Sequence, residues 1–211
     1  MIVMATHGRG GFQRLRLGSV ADRVVHAATL PVLLVAPPAT RAPATVELRR
    51  IAVPLDGSPL AESALPLAKQ LADDSHAALT LVRVEPFLMG AAAAAYPYAP
   101  SSPELDVGME DAAAAYLENV RLTRCAGTQT ESIVLRGTAA ASLIQYFQDL
   151  PADLVVMTTH GRGGFKRLVL GSTADQLVRA GIPVLLIRAQ PATAQPQEPV
   201  APISASGSPV A

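Results

Sequence analysis

The chain has 211 residues, of which 50% are hydrophobic and only 4% are aromatic, and its 17 basic side chains balance 17 acidic ones. A formal charge of zero argues against a nucleic-acid-binding protein, because that class needs a basic surface to displace counterions from phosphates. The single cysteine, Cys125, excludes an internal disulfide and a multi-cysteine zinc site, and it fits the reducing cytoplasm, where we expect the protein to reside. No apolar run reaches the ~18 residues that cross a bilayer, so we expect no membrane segment.

An internal repeat organises the chain. Residues 3–12 and 156–165 share the pattern Val-Met-x-Thr-His-Gly-Arg-Gly-Gly-Phe, and both copies continue into Leu-Gly-Ser and then Pro-Val-Leu-Leu. The copies lie about 150 residues apart, which is the length of a domain rather than of a solenoid repeat. Enough sequence for a full domain precedes the second copy, but not the first. We therefore expect a tandem of two related domains in which the first is truncated at its N-terminus.

Composition then divides the chain into segments. Residues 37–48 are rich in Pro, Ala and Thr, and the last 21 residues contain Pro, Ala, Ser and Gln with almost no charge. We expect residues 1–36 to be the C-terminal part of a truncated domain, 37–48 a linker, 49–190 a complete domain and 191–211 a disordered tail.

The predicted elements of the first copy are a strand at its start, a helix from Ser19 and a strand over residues 31–35. In the complete domain, the apolar run 51–55 ends at an Asp-Gly turn, and Ser58-Pro59 then starts a helix that Pro66 kinks. The further predicted strands cover 79–84, 131–135, 154–158 and 184–187, and they alternate with predicted helices over 104–124, 139–148 and 172–180.

This alternation predicts an α/β fold. Continuous Val/Ile/Leu strands indicate a sheet covered on both faces, which is a doubly wound five-stranded parallel sheet, preceded here by a β-loop-α-β half domain. In such sheets the ligand lies beyond the carboxyl ends of the strands, where the strand order reverses. Asp56 ends the first strand and Thr158 the fourth, so both tips line one crevice if these strands are neighbours.

A glycine-rich segment, residues 161–172, follows the fourth strand and leads into a helix. Glycines let the backbone approach a ligand closely, and Ser172 with Asp175 three residues later forms a helix-capping pattern. Free N–H groups at the helix start suit a phosphate, and Arg162 adds positive charge nearby. The alternative is a simple turn before a capped helix. The segment is neither a P-loop nor a dinucleotide fingerprint, since Lys166 stands where the fingerprint has its third glycine.

Together these features resemble the universal stress protein (UspA) family, whose nucleotide-binding members share Gly-x2-Gly-x9-Gly-Ser/Thr. Gly161 matches the second glycine, Gly171-Ser172 match the final pair, and Thr158 stands where the family has its first glycine. The family also begins its domain with a strand that ends in Asp, as residues 53–58 do here. The resemblance covers residues 49–189 and, as a fragment, 1–36. It implies a Rossmann-like fold of the adenine-nucleotide alpha hydrolase type.

The resemblance also implies a ligand and the residues that hold it. The ligand is ATP, with or without Mg²⁺. Asp56 would hold the ribose or adenine side, its alternative being an Asx-turn that caps the first helix. Val84 would offer backbone groups to adenine, its alternative being plain core. The expected nucleotide-binding residues are Asp56, Val84, Thr158, Gly161, Arg162, Gly164, Gly171 and Ser172.

The leading interpretation is a nucleotide-binding stress-response protein that acts by binding and dimerisation. We expect no catalytic and no metal-ligating residues, and at most slow ATP hydrolysis, because no general base or magnesium-binding pair is evident beyond Asp56. His160 has no carboxylate partner nearby in the sequence and is expected to pack in its loop. A family member that binds no nucleotide and serves protein interaction is the alternative, favoured by Thr158 and opposed by Gly171-Ser172. A nucleotidyl transferase is disfavoured by its missing motifs.

The expected partners are a nucleotide and a second family domain. In this family the last strands of two domains commonly pair across a dimer or tandem interface. We therefore expect either a homodimer or an intrachain pairing, with residues 32–35 antiparallel beside residues 184–187, because this satisfies two exposed sheet edges at once.

Overall fold

The computed structural model describes residues 1–5, 19–36, 47–86, 103–159 and 171–188. Within these ranges the strands are β1 (Ile2–Ala5), β2 (Val32–Val35), β3 (Arg50–Pro54), β4 (Ala78–Glu85), β5 (Thr130–Arg136), β6 (Leu154–Thr159) and β7 (Val184–Arg188). The helices are α1 (Ser19–Ala27), α2 (Pro59–Glu62), α3 (Leu65–Ser75), α4 (Pro103–Arg124), α5 (Ala139–Asp149) and α6 (Ser172–Arg179). In residues 49–190, both ends of each predicted strand lie within one residue of the ends of the observed strand.

The described strands form one mixed sheet in the order β1-β2-β7-β6-β3-β4-β5. Neighbouring strands are parallel throughout, except that β2 is antiparallel to β7. The predicted doubly wound, five-stranded parallel sheet is confirmed for β7-β6-β3-β4-β5. The two strands of the first copy extend this same sheet. The proposed linker and tail fall almost wholly outside the described residues, so the division into domains stays a prediction.

The pairing of β2 with β7 joins the first copy to the second. Leu33 lies opposite Leu185 and Leu34 opposite Val184, which confirms the predicted antiparallel pairing. Leu34 is fully buried, and the Arg188 guanidinium donates a hydrogen bond to the Ala28 carbonyl just beyond α1 at 3.3 Å. The edge of β7 that faces away from β6 is therefore occupied within the chain.

Helices cover both faces of the sheet. Because side chains alternate along a strand, Ile51 and Val53 of β3 pack on one face with α3 and α4, while Ala52 packs on the other with α5 and α6. Val24 and Val25 of α1 join this second face. Both cores are aliphatic and almost free of aromatic rings, as the composition requires. No helix in the described ranges is both long enough and apolar enough to cross a membrane.

The helix after β3 is divided rather than kinked. The prediction of one continuous helix is wrong, because α2 ends at Glu62 and α3 begins at Leu65 with Pro66 in its first turn. Proline lacks an N–H, and in a first turn that N–H would have no partner inside the helix, so ending one helix and starting another avoids a lost hydrogen bond. The start of α2 agrees with expectation, since the Ser58 hydroxyl accepts the Ala61 N–H at 3.1 Å.

A carboxylate holds the amino end of β3 in place. Oδ2 of Asp153 accepts the backbone N–H groups of Arg49 at 2.7 Å and Arg50 at 2.8 Å. Asp153 directly precedes β6, so it ties the starts of two neighbouring strands together. Because the amino ends of β3 and β6 are held together, their carboxyl ends lie side by side at the opposite edge of the sheet.

Candidate functional site

The strand order reverses at β3, which pairs with β4 on one side and with β6 on the other. The carboxyl ends of these three strands surround a cleft of about 240 Å³. Asp56 and Thr158 both line it, so the structure brings together the two strand tips that the sequence suggested. This is the position where open α/β sheets bind ligands.

The cleft has a predominantly apolar wall with a few hydroxyl groups and one carboxylate. The apolar lining consists of Pro54, Leu55, Leu60, Ala61, Val82, Val84, Ala139, Leu143 and Met157. The polar lining consists of Asp56, Ser58, Thr158 and Thr173. Such a combination suits a ligand with one flat apolar part and one polar part.

Asp56 sits in the turn between β3 and α2. Its Oδ1 accepts the Ser58 N–H at 2.9 Å. This bond forms the Asx-turn that the sequence analysis gave as the alternative to a ligand-binding role for Asp56. Partial burial works to raise the pKa of the Asp56 carboxyl, but hydrogen bonds from Ser58 and the charge of Arg83 outweigh burial and lower it. The side chain is exposed, so a charged acceptor stands at the mouth of the cleft.

Val84 is half-buried near the end of β4 and lines the cleft. The ladder between β3 and β4 ends at Pro54 opposite Val82, and the Leu55 N–H donates to the Val82 carbonyl at 2.8 Å. In a parallel ladder the backbone groups of residues two apart point to the same side. The amide and carbonyl of Val84 therefore face the side where β3 has already ended, which leaves them available to a ligand.

Thr158 makes a contact that sequence reasoning missed. Its hydroxyl donates a hydrogen bond of 2.9 Å to the Leu60 carbonyl in α2. The Thr158 side chain thus ties β6 to α2 beside the cleft, which both bonded residues line. The presence of threonine instead of glycine was visible in the sequence, but its partner 98 residues earlier was not.

The start of α6 differs from the sequence prediction. Gly171, with φ −49° and ψ 138°, occupies the N-cap position, and Ser172 is the first helical residue. The prediction of Ser172 as the N-cap is therefore wrong, and its partner in the expected capping pattern, Asp175, pairs instead with Arg179 at 2.7 Å. Because Gly171 has no side chain, the N-cap residue itself supplies no cap, and no side chain of the described residues accepts from the first N–H groups of α6.

Thr173 is a further residue that the sequence analysis did not single out. It lies in the first turn of α6 and lines the cleft. Its position directly after the Gly-Ser pair could have identified it, since residues of a first helical turn surround the N–H groups that face an anion.

The revised cap position leads to a stability prediction. We expect Ser172→Ala to change the free energy of unfolding by less than about 0.5 kcal/mol, because the hydroxyl lies on an exposed residue inside the helix. Ser58→Ala, which removes an observed N-cap, is expected to cost about 1 kcal/mol. Urea denaturation of both variants measures the difference, and an equal loss for Ser172→Ala would show that its hydroxyl does cap α6.

Three of the expected nucleotide-binding residues, Gly161, Arg162 and Gly164, lie outside the described residues, and so does His160. Their roles stay predictions. In the part of the chain that the structure describes, no group of three or more His, Cys, Asp or Glu side chains could hold a metal ion.

The chain is similar in sequence to one family of known proteins. A model of the Universal stress protein family matches residues 1–36 and 47–188. Universal stress protein Rv2005c of Mycobacterium tuberculosis is 27% identical over 195 residues, which cover 89% of this chain and 61% of the relative. Universal stress protein MJ0531 of Methanocaldococcus jannaschii is 28% identical over 147 residues, or 66% of this chain and 82% of the relative.

Among solved structures, a universal stress protein from Archaeoglobus fulgidus matches with a TM-score of 0.56 at 23% identity, covering 88% of this chain and 62% of that chain. This likeness shows the fold. The chain spans about 61% of the length of the mycobacterial relatives.

Proposed function

The chain belongs to the universal stress protein family, and from this premise we propose that it binds an adenine nucleotide, ATP in particular, in the cleft between β3, β4 and β6. One observation carries the proposal. The Asp56 carboxylate and the first turn of α6, which no side chain caps, border the same apolar cleft. A nucleotide presents matching groups in the same order: an apolar base, a sugar with hydroxyl donors and an anionic tail.

The base end of the proposed site lies near β4 and α5. Leu143 and Met157 supply apolar contacts for a ring, and the backbone groups of Val84 face the gap left by the end of β3. A base in this gap would form hydrogen bonds with the Val84 backbone, as β3 would if it continued past Pro54. Asp56, whose lowered pKa further favours the ionised form, would accept hydrogen bonds from ribose hydroxyls.

The phosphate end lies at the start of α6. The helix dipole places partial positive charge there, and the free N–H groups of the first turn are donors for an anion. No described atom lies within 4 Å of a Cβ added to Gly171, so the described residues leave the backbone there open to a close approach. Arg162 is proposed to add charge, and Mg²⁺, where present, would be held through the phosphates.

We propose that the protein acts in the stress response by binding nucleotide, with hydrolysis at most slow. A general base works best when its pKa lies near the operating pH. Asp56 is the one carboxylate among the described cleft residues, and its pKa is shifted down, away from that range. Asp56 is therefore better suited to hold a ligand than to activate a water molecule.

A specific observation favours a second candidate, an interaction module that binds no nucleotide. The Thr158 hydroxyl is committed to the Leu60 carbonyl at the position where nucleotide-binding members of the family carry glycine, so a bonded side chain stands where the family pattern leaves space. Self-association through the last strands is less favoured, since β2 already occupies that edge of β7. We propose that this pairing within the chain takes the place of a homodimer built on those strands.

Calorimetric titration with ATP and Mg²⁺, compared with adenosine, tests the proposal. We expect one site per chain, because residues 1–36 contain no counterpart of β3 or Asp56. ATP is expected to bind at least about tenfold more tightly than adenosine, since the phosphates contribute charge-assisted hydrogen bonds at α6. Absence of binding by both ligands would reject the nucleotide proposal and favour the interaction module.

A further inference from the structure

The turn that carries Asp56 rests directly on an arginine. Gly57 adopts φ +85°, a conformation that other residues rarely adopt, and a Cβ added there would lie 2.9 Å from Nη1 of Arg83. The turn backbone and the guanidinium are therefore in close contact. A long exposed side chain would simply move away, so the contact matters only if Arg83 is itself held.

Arg83 is held by two neighbours. Its Nε donates to Oε1 of Glu85, a carboxylate whose side chain is only 8% exposed. Its Cζ lies 5.0 Å from the centroid of the Tyr116 ring in α4, within the range of a cation–π contact. The planar guanidinium is thus bonded at one end and stacked on a ring, which leaves it little freedom to retreat from Gly57.

The holding network extends to the helix that borders the cleft. The Tyr116 hydroxyl donates to Oε1 of Glu62 at 3.0 Å, and Glu62 is the last residue of α2. Burial, together with this hydrogen bond, raises the pKa of Tyr116 further above neutral pH, so the hydroxyl stays a donor to Glu62. The two ends of the segment that carries Asp56 and α2 are therefore tied to one cluster, Arg83 at the turn and Tyr116 at the helix end.

Arg83 itself does not line the cleft. Val82 and Val84 do, and because side chains alternate along β4, Arg83 projects from the opposite face of the sheet. Any effect of Arg83 on a ligand in the cleft must therefore pass through the turn. Its charge also lies close enough to the Asp56 carboxylate to favour the ionised form.

We infer that Arg83 is a positioning residue. From the face of the sheet opposite the cleft, it clamps the Asp56–Gly57 turn and so orients the Asp56 carboxylate toward the cleft. The expected effect of Arg83 on ATP affinity rests on the proposed function. The clamp itself is a property of the turn and is measurable without any ligand.

The test uses the full chain with Arg83→Met and Arg83→Lys, and Arg121→Met as the matched control. Arg121 forms an ion pair with Glu118 on the outer surface of α4, away from the cleft. The readouts are the NMR titration of the Asp56 carboxyl, the Gly57 amide shift and the affinity for ATP. Arg83→Met is expected to raise the Asp56 pKa, move the Gly57 amide and weaken ATP binding about tenfold.

Arg83→Lys separates charge from shape. It is expected to keep the Asp56 titration close to that of the parent protein while still moving the Gly57 amide, because an ammonium group cannot reproduce the planar contact. Arg121→Met is expected to change none of the three readouts. If Arg83→Met fails to fold, the Gly57 amide shift of Arg83→Lys decides whether Arg83 clamps the turn.

Two results would overturn the inference. One is a folded Arg83 variant with unchanged Asp56 titration and Gly57 shift, which would reduce Arg83 to packing between β4 and α4. The other is a displaced turn with undiminished ATP affinity. If the parent protein binds no ATP, the proposed function fails, while the two ligand-free readouts still decide whether Arg83 clamps the turn.

Discussion

Gly171→Val is expected to weaken ATP binding by about 100-fold or more while leaving the protein folded. The N–H groups at the start of α6 are proposed to donate to phosphate, and each such charge-assisted bond is worth about 1.5–3 kcal/mol. A valine side chain at the N-cap would occupy the space through which the phosphate approaches. Losing two bonds corresponds to two or more factors of ten in affinity.

The same substitution should cost no more than about 1 kcal/mol of stability, because valine is a poorer N-cap residue than glycine. No described atom lies within 4 Å of a Cβ at position 171, and φ there is negative, so valine meets no clash with the described residues and no positive-φ strain. Gly108→Val in α4 is the matched control, since a Cβ at Gly108 is also free of described neighbours and α4 contributes no residue to the cleft lining. Calorimetry and thermal denaturation of both variants separate the two effects. Equal ATP affinity for Gly171→Val and the parent protein would remove α6 from the proposed site.

Leu34→Asp is expected to detach the first copy from the complete domain. Leu34 is fully buried opposite Val184, and a carboxylate there would lose its hydration without gaining a partner. We expect a loss of at least about 3 kcal/mol in the free energy of docking these strands, in the range of substitutions that bury an unpaired charge. Hydrogen exchange should then accelerate along β7.

Leu30→Asp is the matched control for this experiment, because Leu30 is 54% exposed and precedes the same strand. It should leave exchange along β7 unchanged. Undocking also frees an apolar sheet edge, so sedimentation should show concentration-dependent self-association for Leu34→Asp alone. Retained protection along β7 in Leu34→Asp would mean that the β2–β7 pairing does not hold the two copies together.

Much of the fold was accessible from the sequence, because it depends on neighbours along the chain. Apolar runs of strand length alternating with helical periodicity indicated the parallel α/β sheet, and the five strands from β3 to β7 were located within one residue. The turn at Asp56-Gly57 and the helix start at Ser58-Pro59 were likewise local. The family resemblance implied that residues 32–35 pair antiparallel with residues 184–187, and the observed pairing agrees.

The site was only partly accessible. Asp56 and Thr158 could be placed at the ends of their strands from the sequence, whereas the pairing of β3 with β6, which brings the two tips together, came from the structure. The N-cap of α6 was misplaced by one residue, because Ser172 and Asp175 fit a capping pattern while Gly171 takes the extended conformation of the cap. The break between α2 and α3 was missed for a related reason, since Pro66 is compatible either with a kink or with the first turn of a new helix.

The sequence by itself thus determined the strands, their order along the chain and most of the helices, which follow from periodicity and turn chemistry over short stretches. The tertiary structure decided that β3 and β6 are neighbours, which brings their tips to one cleft. Only the tertiary structure revealed that the Thr158 hydroxyl bonds to Leu60, and that Arg83 packs beneath Gly57 against Tyr116. These contacts join residues that are 98, 26 and 33 positions apart. No local pattern encodes them, because they arise when the sheet brings strand ends and helix ends to one edge and packing selects among the side chains that meet there.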